Sequence, residues 1–251
     1  MACNTIENKA IYYCLSKAPL LTVILGAKCS DGIVMVADRK FTDLLGGTPT
    51  FGTKIFGDLE HVIIGYSGRE RMFDAFRKYT LGDVFLRASP EDCYTFDNII
   101  PRISQSIKRF NKLVCEPDFF FEILITVHRG TNLQFYYISF NGDYKQVNYK
   151  SIGSGKETTN IVCEKLSHNQ ITMKQFAKDA YFAIKYMNQH HPELGVGVEE
   201  GNHPIIRFMD YNKELDTSPS EEDIKEFEDY SNNALNETKR TFDKLIDSLR
   251  L

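Results

Sequence analysis

No apolar run in this 251-residue chain is long enough to cross a bilayer. The longest, such as residues 20–27 and 33–37, fall far short of the roughly 20 residues a spanning helix needs. No basic excess is present either: 30 Lys and Arg against 34 Asp and Glu leave a net charge of −4 and a pI near 5.9, which argues against a nucleic-acid partner. The six cysteines, at positions 3, 14, 29, 93, 115 and 163, form no C-x-x-C pair, which argues against a disulfide framework or a zinc site. Residues 1–21 hold Glu7, Lys9 and Lys17 and lack the continuous apolar centre of a secretory signal. There is no internal repeat and no low-complexity stretch. These absences predict a cytoplasmic protein with reduced thiols, no metal and no membrane partner.

What is present is ordinary globular material, 42% hydrophobic and 25% charged. Residues 22–28 and 33–38 are β-branched and apolar, and Asp31-Gly32 between them signals a hairpin turn. Neither strand alternates with polar residues, so the sheet is expected to be covered on both faces. A second hairpin is predicted from residues 50–56 and 61–67 around a turn at 57–60. Met72, Phe73, Phe76 and Tyr79 then recur at helical spacing. Another helix is expected over 95–113, with Pro101 in its first turn. Strands follow at 119–127, 132–140 and 144–151, helices at 156–166 and 173–189, and a last strand at 203–209. That order predicts an α+β fold, a four-layer αββα sandwich of two antiparallel sheets between helix layers. Beyond it, Ser218-Pro219-Ser220-Glu221 reads as a capping box that starts a long amphipathic helix, either packed on the surface or docking a partner. The expected division is a leader over 1–21, a domain over 22–212 and a helical extension over 213–251.

Several chemical signals fail on inspection. Gly153-Ser154-Gly155-Lys156-Glu157 looks like the end of a phosphate loop, but Lys150 stands where that motif needs glycine and Glu157 where it needs Ser or Thr. His190 and His191, followed by Glu193, are adjacent on a predicted helix and therefore diverge by about 100°. Cys3 becomes a terminal nucleophile only if two residues are removed. A stronger set is Thr22, opening the first strand, Asp38, closing the second, Lys54, within the third, and Gly65, ending the fourth. A charge inside an apolar sheet is costly unless paired, so Asp38 and Lys54 either meet as an ion pair or both point to the surface.

The stretch Thr22-Val-Ile-Leu-Gly26 followed by Ser30-Asp-Gly-Ile-Val-Met-Val-Ala-Asp-Arg-Lys40 resembles the opening of a mature proteasome β-subunit, a family of N-terminal-nucleophile hydrolases. The aromatic and acidic N-terminal segment usual in α-type subunits is not found. The resemblance covers roughly residues 22–210 and implies a threonine-type endopeptidase with no cofactor. It would act on peptide or protein substrates within a homo- or hetero-oligomeric ring of proteasome-type subunits. Without gaps, Thr22 falls on the family's nucleophile, Asp38 on its acidic partner and Lys54 on its lysine. With a preceding turn a few residues shorter than usual, Gly65 falls on the oxyanion glycine; Ser154 falls on the serine near the nucleophile and Thr42 on a substrate-aligning threonine. Ile63 and Ser67 fall on pocket walls. The implied mechanism removes residues 1–21 so that the new amine of Thr22 serves as base for its own hydroxyl. Leu21 stands where family leaders end in glycine, and residues 190–197 lack the family's matching aspartate and serine. Two other outcomes remain open: a non-catalytic assembly subunit, and a ligase that passes the acyl group to an amine.

Overall fold

The computed structural model describes residues 22–41, 50–59, 62–68, 77–78, 96–114, 121–129, 132–160, 171–191, 196–198, 202–212 and 217–249. Most of the helix expected from Met72 to Tyr79 and most of the one expected after Lys156 lie outside these residues. Among the described residues, eleven strands and three long helices run in the order β1 (Val23–Lys28), β2 (Gly32–Ala37), β3 (Lys40–Phe41), β4 (Thr50–Phe51), β5 (Ile55–Leu59), β6 (Val62–Ser67), α1 (Phe96–Val114), β7 (Glu122–Arg129), β8 (Asn132–Ile138), β9 (Tyr144–Gln146), β10 (Tyr149–Gly153), α2 (Met173–His190), β11 (Ile205–Asp210) and α3 (Glu221–Leu249). One sheet has the order β10-β1-β2-β11, the other β5-β6-β7-β8-β9, with β3 and β4 as a short separate ribbon.

Three apolar layers follow from strand alternation. Val23, Leu25, Val34 and Val36 face α2, where Phe176, Ala180, Ile184 and Met187 meet them. Ile24, Met35 and Ala37 face the other way and pack against Ile63, Leu124 and Phe135 of the second sheet. The far face of that sheet buries Ile64, Tyr66, Ile123 and Ile125 under Ile99, Ile103 and Ile107 of α1. Two helix layers therefore enclose two antiparallel sheets, the predicted αββα arrangement. The sheets approach closely at Gly26, where a Cβ would stand 2.4 Å from Cζ of Phe135.

Local details differ from the sequence reading. The strand expected over 144–151 is two strands: β9 pairs with β8 in one sheet and β10 with β1 in the other, so the chain changes sheets at Val147 and Asn148. Pro101 falls in the second turn of α1, because the helix starts at Phe96. Lys54 lies immediately before β5 rather than within a continuous strand. The cap of α3 is Ser220: its hydroxyl accepts from the amide of Asp223 at 3.1 Å and donates to the Asp223 carboxylate at 2.7 Å. That is two residues later than expected, since Pro219 precedes the cap. Asp31, read only as a turn residue, also accepts the Met173 amide at 2.8 Å and so caps α2 beside Thr172. The first part of α3 packs on α2, with Phe227 buried beside Tyr181.

Candidate active site

Asp38 is the first residue past β2. Its amide still donates to Val23 O at 3.2 Å, the last rung of the β1–β2 ladder, and its side chain then turns inward to full burial. Burying a carboxylate is tolerable only where donors replace water, and here they converge. Oδ1 accepts the Thr22 hydroxyl at 2.9 Å, the Val23 amide at 2.9 Å and the Lys54 ammonium at 2.7 Å. Oδ2 accepts the amides of Lys40 at 3.2 Å and Gly197 at 3.3 Å. Lys54 is also buried and gives a second bond to Lys40 O at 2.5 Å. The ion-pair alternative is the one the fold adopts, with hydroxyl and ammonium held on a single carboxylate oxygen.

Thr22 is held from its other side by the turn after β10. Its amide donates to Ser154 Oγ at 3.1 Å, and its carbonyl accepts from Ser154 Oγ and from the Gly155 amide, each at 3.3 Å. The turn is possible because Gly153 has φ +94°, a region that favours glycine, and because a Cβ there would lie 2.2 Å from Thr22 O. Thr22, Asp38, Lys54 and Ser154 thus form one connected cluster, drawn from β1, β2, the start of β5 and the end of β10.

The remaining expected residues are placed differently. Tyr66 donates its amide to Lys54 O at 3.0 Å. Main-chain groups alternate along an antiparallel strand, so the N–H of Gly65 points the opposite way, into the ladder with β7 where it pairs with Leu124. A Cβ on Gly65 would meet Ile24 Cγ2 at 3.2 Å and Met35 Sδ at 3.3 Å, so this glycine serves the packing between sheets. Gly68, a bend beyond the last β6–β7 rung, lies outside both ladders. The side chain of Ile63 is buried in the core between the sheets rather than on a pocket wall. Ser67 is fully buried, and its Oγ has no hydrogen-bond partner among the described residues. Thr42 lies outside the described residues.

Two contacts were not foreseen. Residues 190–197 carry no matching side chains, yet the main chain of Gly197 reaches the cluster, donating to Asp38 and accepting the amides of Arg39 at 3.0 Å and Lys40 at 3.2 Å. A backbone contact leaves no side-chain signature to read. Glu122 accepts the Gly153 amide from the opposite sheet at 3.2 Å, and its position at the start of an apolar strand was the available signal. Other nucleophiles are poorly set: burial and then the charge of Asp31 push the Cys29 thiol up to about 12. His190 stacks on Tyr186 at 4.5 Å between ring centroids. Among the described residues, no three His, Cys, Asp or Glu side chains cluster as a metal site.

The family model described as "Proteasome subunit" matches residues 22–192. Among solved structures, the chain is similar to Anbu (ancestral beta-subunit) from Yersinia bercovieri, with a TM-score of 0.71 and 11% identity over 88% of this chain and 97% of that one. It is also similar to an Anbu (Gly-1) mutant from Hyphomicrobium sp. strain MC1, with a TM-score of 0.70 and 12% identity over 89% and 97% of the respective chains. No curated protein matches it.

Proposed function

Because this chain belongs to the proteasome subunit family, we propose that it is a threonine-type endopeptidase whose nucleophile is Thr22, exposed as a terminal residue by removal of residues 1–21. The observation that carries this reading is the shared oxygen: Thr22 Oγ1 and Lys54 Nζ both bond Asp38 Oδ1, at 2.9 and 2.7 Å. A hydroxyl is a weak nucleophile until a base takes its proton. In the intact chain the nitrogen of Thr22 is an amide that donates to Ser154, so it has no lone pair to offer. Breaking the 21–22 bond turns it into an amine beside its own hydroxyl.

The amine then takes the hydroxyl proton, directly or through one water, as Oγ1 bonds the substrate carbonyl carbon. The buried Lys54 ammonium stabilises negative charge growing on Oγ1, and Asp38 keeps that ammonium in place. The carbonyl oxygen becomes an oxyanion. Gly68, just past β6, takes the donor role in this reading, because Gly65 commits its N–H to β7. The peptide C–N bond breaks, the departing amine receives the proton, and an acyl ester remains on Thr22 for water to cleave. Peptide bonds are the substrate class, and a ring of like or related subunits is the proposed setting.

Intact mass tests the reading. The wild-type chain should lose residues 1–21, and Thr22→Ala and Lys54→Ala should keep them. After processing is supplied artificially, Lys54→Ala should hydrolyse peptide amides about 100- to 1,000-fold more slowly than wild type. Full-length mass in every preparation, assembled material included, would refute the peptidase and favour a structural subunit.

A further inference from the structure

Glu122 opens β7 in the second sheet, opposite Ser67 of β6. Its carboxylate reaches out of that sheet to the other one, where Oε2 accepts the Gly153 amide at 3.2 Å. Oε1 accepts the Tyr137 hydroxyl of β8 at 2.9 Å, and Lys156 Nζ stands 3.7 Å from Oε2. The carboxylate is 15% exposed, so its bonds are sheltered from water without being sealed from it. Burial, and then the charge and hydrogen bond of Glu122, push the Tyr137 phenol well above its ordinary range, which keeps it protonated as a donor. The ammonium of Lys150 lies 4.8 Å from the centre of the same ring.

Gly153 is the residue whose positive φ makes the turn that places Ser154 on Thr22. It is also the last residue of β10, paired with Val23 of β1, and its amide finds its partner on the opposite sheet. A continuous path therefore runs from the Glu122 carboxylate through the Gly153 amide and the Ser154 hydroxyl to the nitrogen of Thr22, the atom that would become the base. We infer that Glu122 is a positioning residue for Thr22, a strut between the two sheets that fixes the 153–155 turn and with it the Thr22 nitrogen. The inference rests on Thr22 as nucleophile. It assigns a role to a side chain other than Thr22, Asp38 and Lys54, and a misplacement of about 1 Å is enough to cost on the order of 100-fold in rate.

The test compares Glu122→Ala and Glu122→Gln in the full chain. Glutamine keeps an oxygen for the Gly153 amide but gives up the charge and replaces the oxygen that accepts the Tyr137 hydroxyl with an NH2 donor. Labelling of processed Thr22 by a hydroxyl-reactive β-lactone separates the maximal rate from the half-saturating concentration. Glu122→Ala should lower the maximal rate on the order of 100-fold with the half-saturating concentration unchanged, and Glu122→Gln should recover most of it. A wild-type rate in Glu122→Ala, or a glutamine variant as slow as the alanine one, overturns the inference. Where the alanine chain fails to fold, Glu122→Met fills the same space without an acceptor and replaces it. If wild-type protein is never labelled, the Thr22 reading itself fails, and amide hydrogen exchange then decides the strut separately. Faster exchange at Gly153 in Glu122→Ala supports it, and equal exchange overturns it.

Discussion

Two of the lysine–carboxylate pairs among the described residues sit in very different surroundings. Lys54 and Asp38 meet at 2.7 Å with both side chains fully buried between sheet ends. Lys174 and Asp223 meet at 2.6 Å where α2 and α3 run side by side, with the side chains 51% and 26% exposed. Lys174 also reaches Glu226 at 2.8 Å, and Lys185 reaches Glu228 at 3.0 Å further along the same pair of helices. The lengths are nearly equal, so length does not rank the pairs. Water does: it screens the helix ladder and competes for each partner, whereas the buried ammonium and carboxylate are shut away from it, bonded to each other, to the Thr22 hydroxyl and to the main chain. The first pair is sealed inside the fold, and the second decorates a helix contact that Phe227 already anchors.

The sharpest way to break this comparison is Asp38→Leu. It strands the Lys54 ammonium and the amides of Val23 and Gly197 in a dry site, and it should cost at least about 3–5 kcal/mol in urea unfolding. Adding Lys54→Met should not restore wild-type stability, because those amides stay unpaired. A double variant as stable as wild type would show that the carboxylate is a local partner of the lysine and no more.

Phe227→Ala tests whether packing, rather than charge, holds α3. The side chain is fully buried against α2, and its truncation should cost about 3–5 kcal/mol by the same measurement. A loss no larger than that from removing a ladder charge would reverse the ranking.

Lys174→Met should have the smallest effect, with an unfolding midpoint at pH 7 inside the scatter of ordinary surface variants. Its signature is pH dependence. Hydrogen bonding to Lys174 is the leading cause that holds the carboxyls of Asp223 and Glu226 below their ordinary values of 3.8 and 4.5. A depressed folded value contributes stability that is complete above the unfolded value and lost as pH falls through the folded one. Wild type should therefore lose this increment only below about pH 4.5, and Lys174→Met should show a shallower acid decline there. Added salt should mute the difference. An acid decline identical in the two proteins would remove the ladder from the stability account altogether.

The fold was largely readable because its layers come from local rules. The uninterrupted apolar runs of β1 and β2, the Asp31-Gly32 turn and the Ile99–Ile103–Ile107 stripe each report a local feature of the layers. The break at Val147 and Asn148 was not readable, since residues 144–151 look equally extended whether they stay in one sheet or change sheets. The site divided along the same line. Thr22, Asp38 and Lys54 stand at intervals of sixteen residues and sit at strand ends, so two hairpins suffice to bring them together. Gly65 misled because a glycine near a strand end reads the same whichever neighbour its amide faces.

The sequence by itself determined that two apolar hairpins would carry a hydroxyl, a carboxylate and an ammonium to one end of a covered sheet, because side-chain type and two-residue periodicity are properties of the chain. Only the tertiary structure decided which main-chain amides complete the cluster, that Gly197 reaches it and Glu122 reaches the adjoining Gly153 from distant segments, and that Gly65 turns away. Hydrogen-bond direction and the approach of one sheet to another depend on which strands become neighbours, and no local stretch of residues records that.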